Sequence, residues 1–127
     1  MNESAGKLIL RLALGALILM HGISKMMHGI GFIAKTVDAA GLPGFVAYGV
    51  YVGEVIAPLM VLAGWYSRIG AAIIAINMLF AIGLVHRGEL WNVSGSGGWA
   101  IELQGMFLFT AIAIVLIGPG RFSINQK

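Results

Sequence analysis

The stretch FVAYGVYVGEVIAPLMVLAGW, Phe45–Trp65, decides the fold. About 20 apolar residues rising 1.5 Å each cover the roughly 30 Å of bilayer hydrocarbon, and this run is long enough to do so as a helix. Its only ionisable side chains are Glu54, the tenth residue of the run, and the tyrosines Tyr48 and Tyr51. A charged side chain at the bilayer centre costs roughly 3 kcal/mol on insertion scales. The Phe, Val, Ile and Leu residues around it return about 0.3–0.6 kcal/mol each, so the segment inserts with little margin. A carboxylate kept at that cost marks a functional site, provided that partners for it exist at its depth.

Three further runs have similar character: Leu8–Met27, Ile69–His86 and Trp99–Ile117. The 127-residue chain is 59% hydrophobic and only 10% charged, with a mean hydropathy of +0.94. A soluble domain of this size cannot hide so much apolar surface, so the lipid bilayer is the expected solvent and first partner. The pattern predicts an all-α fold: an integral membrane antiparallel four-helix bundle, one domain over residues 1–127. Leu8–Met27 reads as a span and not as a removable leader. It is too long, carries Arg11, and lacks a small-residue cleavage site after it. The chain has no cysteine, which excludes disulfide relay, iron–sulfur ligation and thiol catalysis by its own side chains. The net charge of +3 is spread over helix ends and gives nucleic-acid binding no support.

An even number of spans puts both termini on one side. Lys7, Arg11, Arg68, Arg121 and Lys127 lie there, against Lys25, Lys35 and Arg87 on the other, which favours cytoplasmic termini. Trp91 and Trp99 then mark the outer interface, and Trp65 and Tyr66 the inner one. Between the first two spans, HGIGFIAKTVDAAGLPG has Ile30, Ile33 and Val37 at helical spacing. It predicts a short amphipathic helix on the outer surface, closed by Gly41 and Pro43. The loop NVSGSGG reads as a flexible connector with Ser96 as a cap for span four. Gly15, Gly22 and Gly29 recur at seven residues, and Gly49, Gly53 and Ala57 form a second small-residue row. Both predict close helix approach and leave self-association open to the chain.

Counting about 1.5 Å per residue from the inner edge of each span puts His21 roughly 20 Å up, Glu54 about 16 Å and Asn77 about 12 Å. Lys25 and His28 continue the stripe of His21 outward, with His86 and Glu102 near the outer surface. Tyr51 shares the face of Glu54 at i−3, and Pro58 deprives the Glu54 carbonyl of its helical donor. The candidate site is therefore Glu54, His21, Lys25, Glu102, Asn77 and Tyr51. The competing reading is a satisfied hydrogen-bond network that only fixes helix packing. Arg11, about 4–5 Å from the inner edge, is expected to snorkel, and His28 and His86 to be solvated at the interface.

Several chemistries can be weighed against this set. A di-iron bundle needs Glu-x-x-His pairs, which are absent from the sequence. Zinc or copper wants clustered His or Cys, so no metal site is expected. Bis-histidine haem needs two histidines at one depth, and His21 and His86 differ by about 6 Å. A transporter usually shows an inverted repeat or a second broken helix. A quinone or quinol site needs an apolar slot with hydrogen-bond donors and a proton acceptor, and His, Glu, Tyr and Lys supply them.

The ordered set R-L-x-L-G (Arg11–Gly15), H-G-x-x-K (His21–Lys25), G-L-P (Gly41–Pro43), Glu54, G-x-x-x-R (Gly64–Arg68), Glu102 and G-P-G-R-x-S (Gly118–Ser123) resembles the DoxX family of small bacterial membrane proteins. The resemblance covers nearly the whole chain. One departure is Asn125, two residues after the final serine, where the family often has an aspartate; it bears only on a tail contact. The resemblance implies a four-span protein of the bacterial inner membrane. The family is named for similarity to a subunit linked to a thiosulfate-oxidising, quinone-reducing complex, and some members look like partners of soluble redox enzymes. It thus points to a small subunit or accessory of a quinone-linked redox complex, a possible oxidoreductase subunit with catalysis by this chain alone not expected. A non-catalytic scaffold and a small-solute or proton-coupled transporter are the alternatives.

Overall fold

The computed structural model describes residues 2–84, 88, 91–93, 95 and 97–127. Five helices are used below. Helix α1 runs Asn2–His28, α2 Gly31–Ala39, α3 Gly44–Ala63, α4 Ser67–Leu84 and α5 Glu102–Ile117. Among the described residues the only strand-like pairing is an isolated bridge between Val93 and Trp99. Helices α1, α3 and α4 are long and apolar enough to cross a membrane, and α5 is a shorter apolar helix. Met20, Phe109 and Leu116 are 62–74% exposed on these helices, as side chains bathed in lipid can be.

Buried Leu14 and Ile18 of α1, Ala57 and Val61 of α3, Ala71 and Ile74 of α4, and Ala111 and Ile114 of α5 form one core. Small residues bring the helices together there. A Cβ on Gly22 would overlap the Glu54 carbonyl, and one on Gly15 would meet the Leu62 side chain at 2.6 Å. Gly29, the third of that row, ends α1 with a φ of 82° and has no neighbour within 4 Å of a Cβ.

Helix α3 is not uniform. It begins as a 3-10 turn over Gly44–Tyr48, becomes α-helical, widens to a π turn over Val52–Ile56, and continues as α-helix to Ala63. In the π turn the Ala57 amide donates to the Val52 carbonyl, five residues back. The widening sits just ahead of Pro58, which has no N–H with which to continue the α ladder to Glu54. Glu54 lies within the widened turn and is buried.

Two local expectations are corrected. Helix α5 starts at Glu102, with Ile101 at the N-cap position and no side-chain cap there. Trp99 is instead held by its bridge to Val93, and the Ala100 amide bonds the Asn92 carbonyl at 3.0 Å. Ser96, His86 and Arg87 lie outside the described residues.

Arg11 does not snorkel; it is 1% exposed. Its Nε donates to the Val61 carbonyl at 2.9 Å and its Nη2 to Leu62 at 3.1 Å, both in the last turn of α3. Its Nη1 donates to Pro119 and Phe122 in the chain after α5, at 3.1 and 2.7 Å. One planar fork thus closes a helix end and fastens the C-terminal tail. The tail is also held by Asn125, whose Oδ1 accepts the Tyr66 amide at 3.0 Å. A tail contact is thus made at this position by the side-chain amide oxygen.

Candidate functional site

Glu54 is 4% exposed and sits inside the π turn of α3. Lys25, in the last turn of α1, donates through Nζ to both carboxylate oxygens at 2.6 Å. Asn77, midway along α4, donates through Nδ2 to Oε2 at 3.0 Å. The carboxylate therefore accepts three hydrogen bonds from two other helices, two of them charge-assisted. The close approach of α3 to Asn77 depends on Gly53, since a Cβ there would lie 2.6 Å from the Asn77 side chain.

Beside this cluster lies a cavity of about 710 Å³, within the roughly 300–1,000 Å³ range of small-molecule sites. Lys25, Glu54 and Asn77 supply its polar end, while Ile18, Val37, Val50 and Ile73 are among its apolar walls. Helix α2 contributes Phe32, Ile33 and Thr36 as well as Val37, so the connector between α1 and α3 forms one side of the chamber. No group of three or more His, Cys, Asp or Glu side chains that could hold a metal converges among the described residues.

The expected site residues divide into three groups. Glu54, Lys25 and Asn77 touch one another. His21 lines the cavity without joining the cluster, its ring edge-on to Phe107 of α5 at 5.7 Å and 76°. Tyr51 is not at the cavity wall; its hydroxyl donates to the Lys25 main-chain carbonyl at 3.5 Å. Glu102 is exposed in the first turn of α5, against Gly98, and is not at the cavity wall either.

Gln104 lines the cavity and went unnoticed in the sequence. It stands two residues beyond Glu102, and two residues rotate a helix by about 200°. The two side chains therefore cannot share a face, and the face marked by the charged residue is not the one at the cavity. The available signal was the one side-chain amide in the run Trp99–Ile117.

The family model described as DoxX matches residues 6–87. The chain is also 34% identical, over 129 aligned positions, to a Bacillus subtilis (strain 168) protein named "Putative oxidoreductase CatD". That alignment covers 98% of this chain and 90% of the relative. No solved structure matches.

Proposed function

The chain belongs to the DoxX family of membrane proteins, and from that premise we propose that it is a small subunit of, or accessory to, a quinone-linked redox complex. The observation that carries this reading is the half-buried Lys25–Glu54 pair at the polar end of an apolar cavity. An ammonium has three N–H donors, and two of those on Lys25 go to Glu54. The third can be given to a quinone oxygen at the cavity end. Asn77 fixes the carboxylate, and Glu54 or His21 exchanges the protons that accompany electron transfer. A quinone takes two electrons and two protons to become a quinol. The electrons come from a partner redox protein, soluble or membrane-bound, because the side chains around the cavity supply hydrogen bonds and protons only. The oxidoreductase name of the Bacillus relative agrees with work in such a complex.

In this reading α1, α3, α4 and α5 are the four spans of a bundle in the bacterial inner membrane, with α2 at its outer surface. The termini are cytoplasmic, and a homo-oligomer is compatible with the glycine rows.

A second reading is favoured by the way Lys25, Glu54 and Asn77 tie α1, α3 and α4 together: a scaffold whose polar cluster serves only assembly. One experiment separates the two. Protein purified in mild detergent is extracted for quinone, and its Tm is followed as a decyl-substituted quinone analogue is added. Co-purifying quinone, with a Tm rise in wild type that Glu54→Gln diminishes, is the expected result. No extracted quinone, together with equal Tm responses, leaves the scaffold.

A further inference from the structure

Helices α3 and α4 meet at Gly53 and Asn77, and contacts between them run from there to the Ala63 end of α3. Toward Gly44 the two helices part. One turn before Gly53, a Cβ on Gly49 would meet nothing within 4 Å, and Gly49 itself lines the cavity. The cavity is thus a wedge with Glu54 and Asn77 at its apex. Its exposed edges on these two helices are Phe45 and Val52 on α3 and Ile76 and Phe80 on α4. All four line the cavity while remaining 41–75% exposed, which makes them the rim of a mouth. Both helices have the length and apolarity of membrane spans, so a mouth between them faces hydrocarbon and not water.

Resting on the reading of the cavity as a quinone-type site, we infer that this wedge is a lateral portal. Through it an uncharged amphiphile exchanges with the bilayer, its head at the Lys25–Glu54–Asn77 apex and its tail between the α3 and α4 rims. The head is uncharged because Lys25 and Glu54 neutralise each other at 2.6 Å. A charged head would bring an uncompensated charge across hydrocarbon and compete for one member of the pair. A neutral head needs only the third Lys25 proton. The tail follows from the lining: an apolar opening in lipid loses dispersion contacts unless a chain fills it. The rim side chains, Ile76 above all, then select for tail shape.

The test uses the full-length protein in phosphatidylcholine nanodiscs, with a decyl benzoquinone and a tailless tetramethyl benzoquinone. The expected result is that Ile76→Trp, which narrows the mouth at an exposed position, weakens decyl quinone binding at least about ten-fold and leaves the tailless compound unchanged. Equal loss for both compounds, or none for either, overturns the portal while leaving the quinone reading intact. If Ile76→Trp does not fold, a diazirine at the end of the decyl tail replaces it. Labelling within Phe45–Val52 or Ile76–Phe80 supports the inference, and labelling confined elsewhere overturns it. If neither quinone binds but a decyl glycerol ether bearing the same diazirine labels the wedge, the portal stands and the quinone reading falls. Decyl phosphate binding as tightly as the neutral compounds overturns the uncharged head.

Discussion

Glu54 is tolerable at this depth because two donors from α1 and one from α4 converge on it. Removing the charge with Glu54→Gln leaves the Lys25 ammonium half-buried without a counter-ion. Since the Lys25 side chain is only 31% exposed, the expected loss is about 1–3 kcal/mol of stability. Lys25→Met/Glu54→Gln is expected to recover most of it, and a double-mutant cycle on Tm in detergent measures the coupling. Counting residues along each span put Glu54 and Asn77 within about 4 Å of each other in height, which is why the acid and its amide partner were legible. The same count placed Lys25 above them, because it follows the backbone and a lysine side chain reaches back along the helix. Arg11 was misread for a different reason. Its acceptors are main-chain carbonyls 50–111 residues away in sequence, and a carbonyl leaves no mark in the residue pattern.

At the scale of elements, the apolar runs located α1, α3 and α4, since twenty residues of unbroken hydropathy have few alternatives in lipid. The pattern could not show where α3 changes pitch. Pro58 signalled an interrupted ladder, but whether the helix kinks, breaks or widens depends on what packs against it. Here Gly22 lies against the Glu54 carbonyl, and the helix widens. Two glycines in the small-residue rows should therefore respond in opposite ways. Gly22→Ala is expected to cost about 1–3 kcal/mol, because the added methyl meets backbone that cannot give way. Gly49→Ala, with open space around it, should change stability by less than about 1 kcal/mol and in the stabilising direction. Thermal melts of both variants under the same detergent check the contrast. The start of α5 was displaced for a tertiary reason, the Val93–Trp99 bridge, which hydropathy does not encode.

Over the whole molecule the two halves do different work. The half near the termini holds the Arg11 clamp, the packed core runs from there to Ile18, Met78 and Phe107 at the cavity wall, and the other half opens into the wedge. Arg11→Lys keeps the charge but cannot reach four carbonyls from one compact ammonium. The expected result is a loss of about 2–3 kcal/mol and faster hydrogen exchange at the Ile124 and Asn125 amides, which bond the carbonyls of Ala63 and Gly64. Quinone affinity should be nearly unchanged, because the clamp lies at the opposite end from the cavity. The family was legible from ordered motifs spread along the chain, whereas the wedge was not, since it arises from how far two helices diverge. The central claim is that the Lys25–Glu54–Asn77 apex is a ligand site and more than a packing device. Its most direct test is equilibrium binding of a decyl quinone to wild type and to Lys25→Met/Glu54→Gln, both shown to be folded by their melts. The account predicts saturable binding near one per chain in wild type and a loss of at least about ten-fold in the double variant. Equal binding by the two proteins would contradict it.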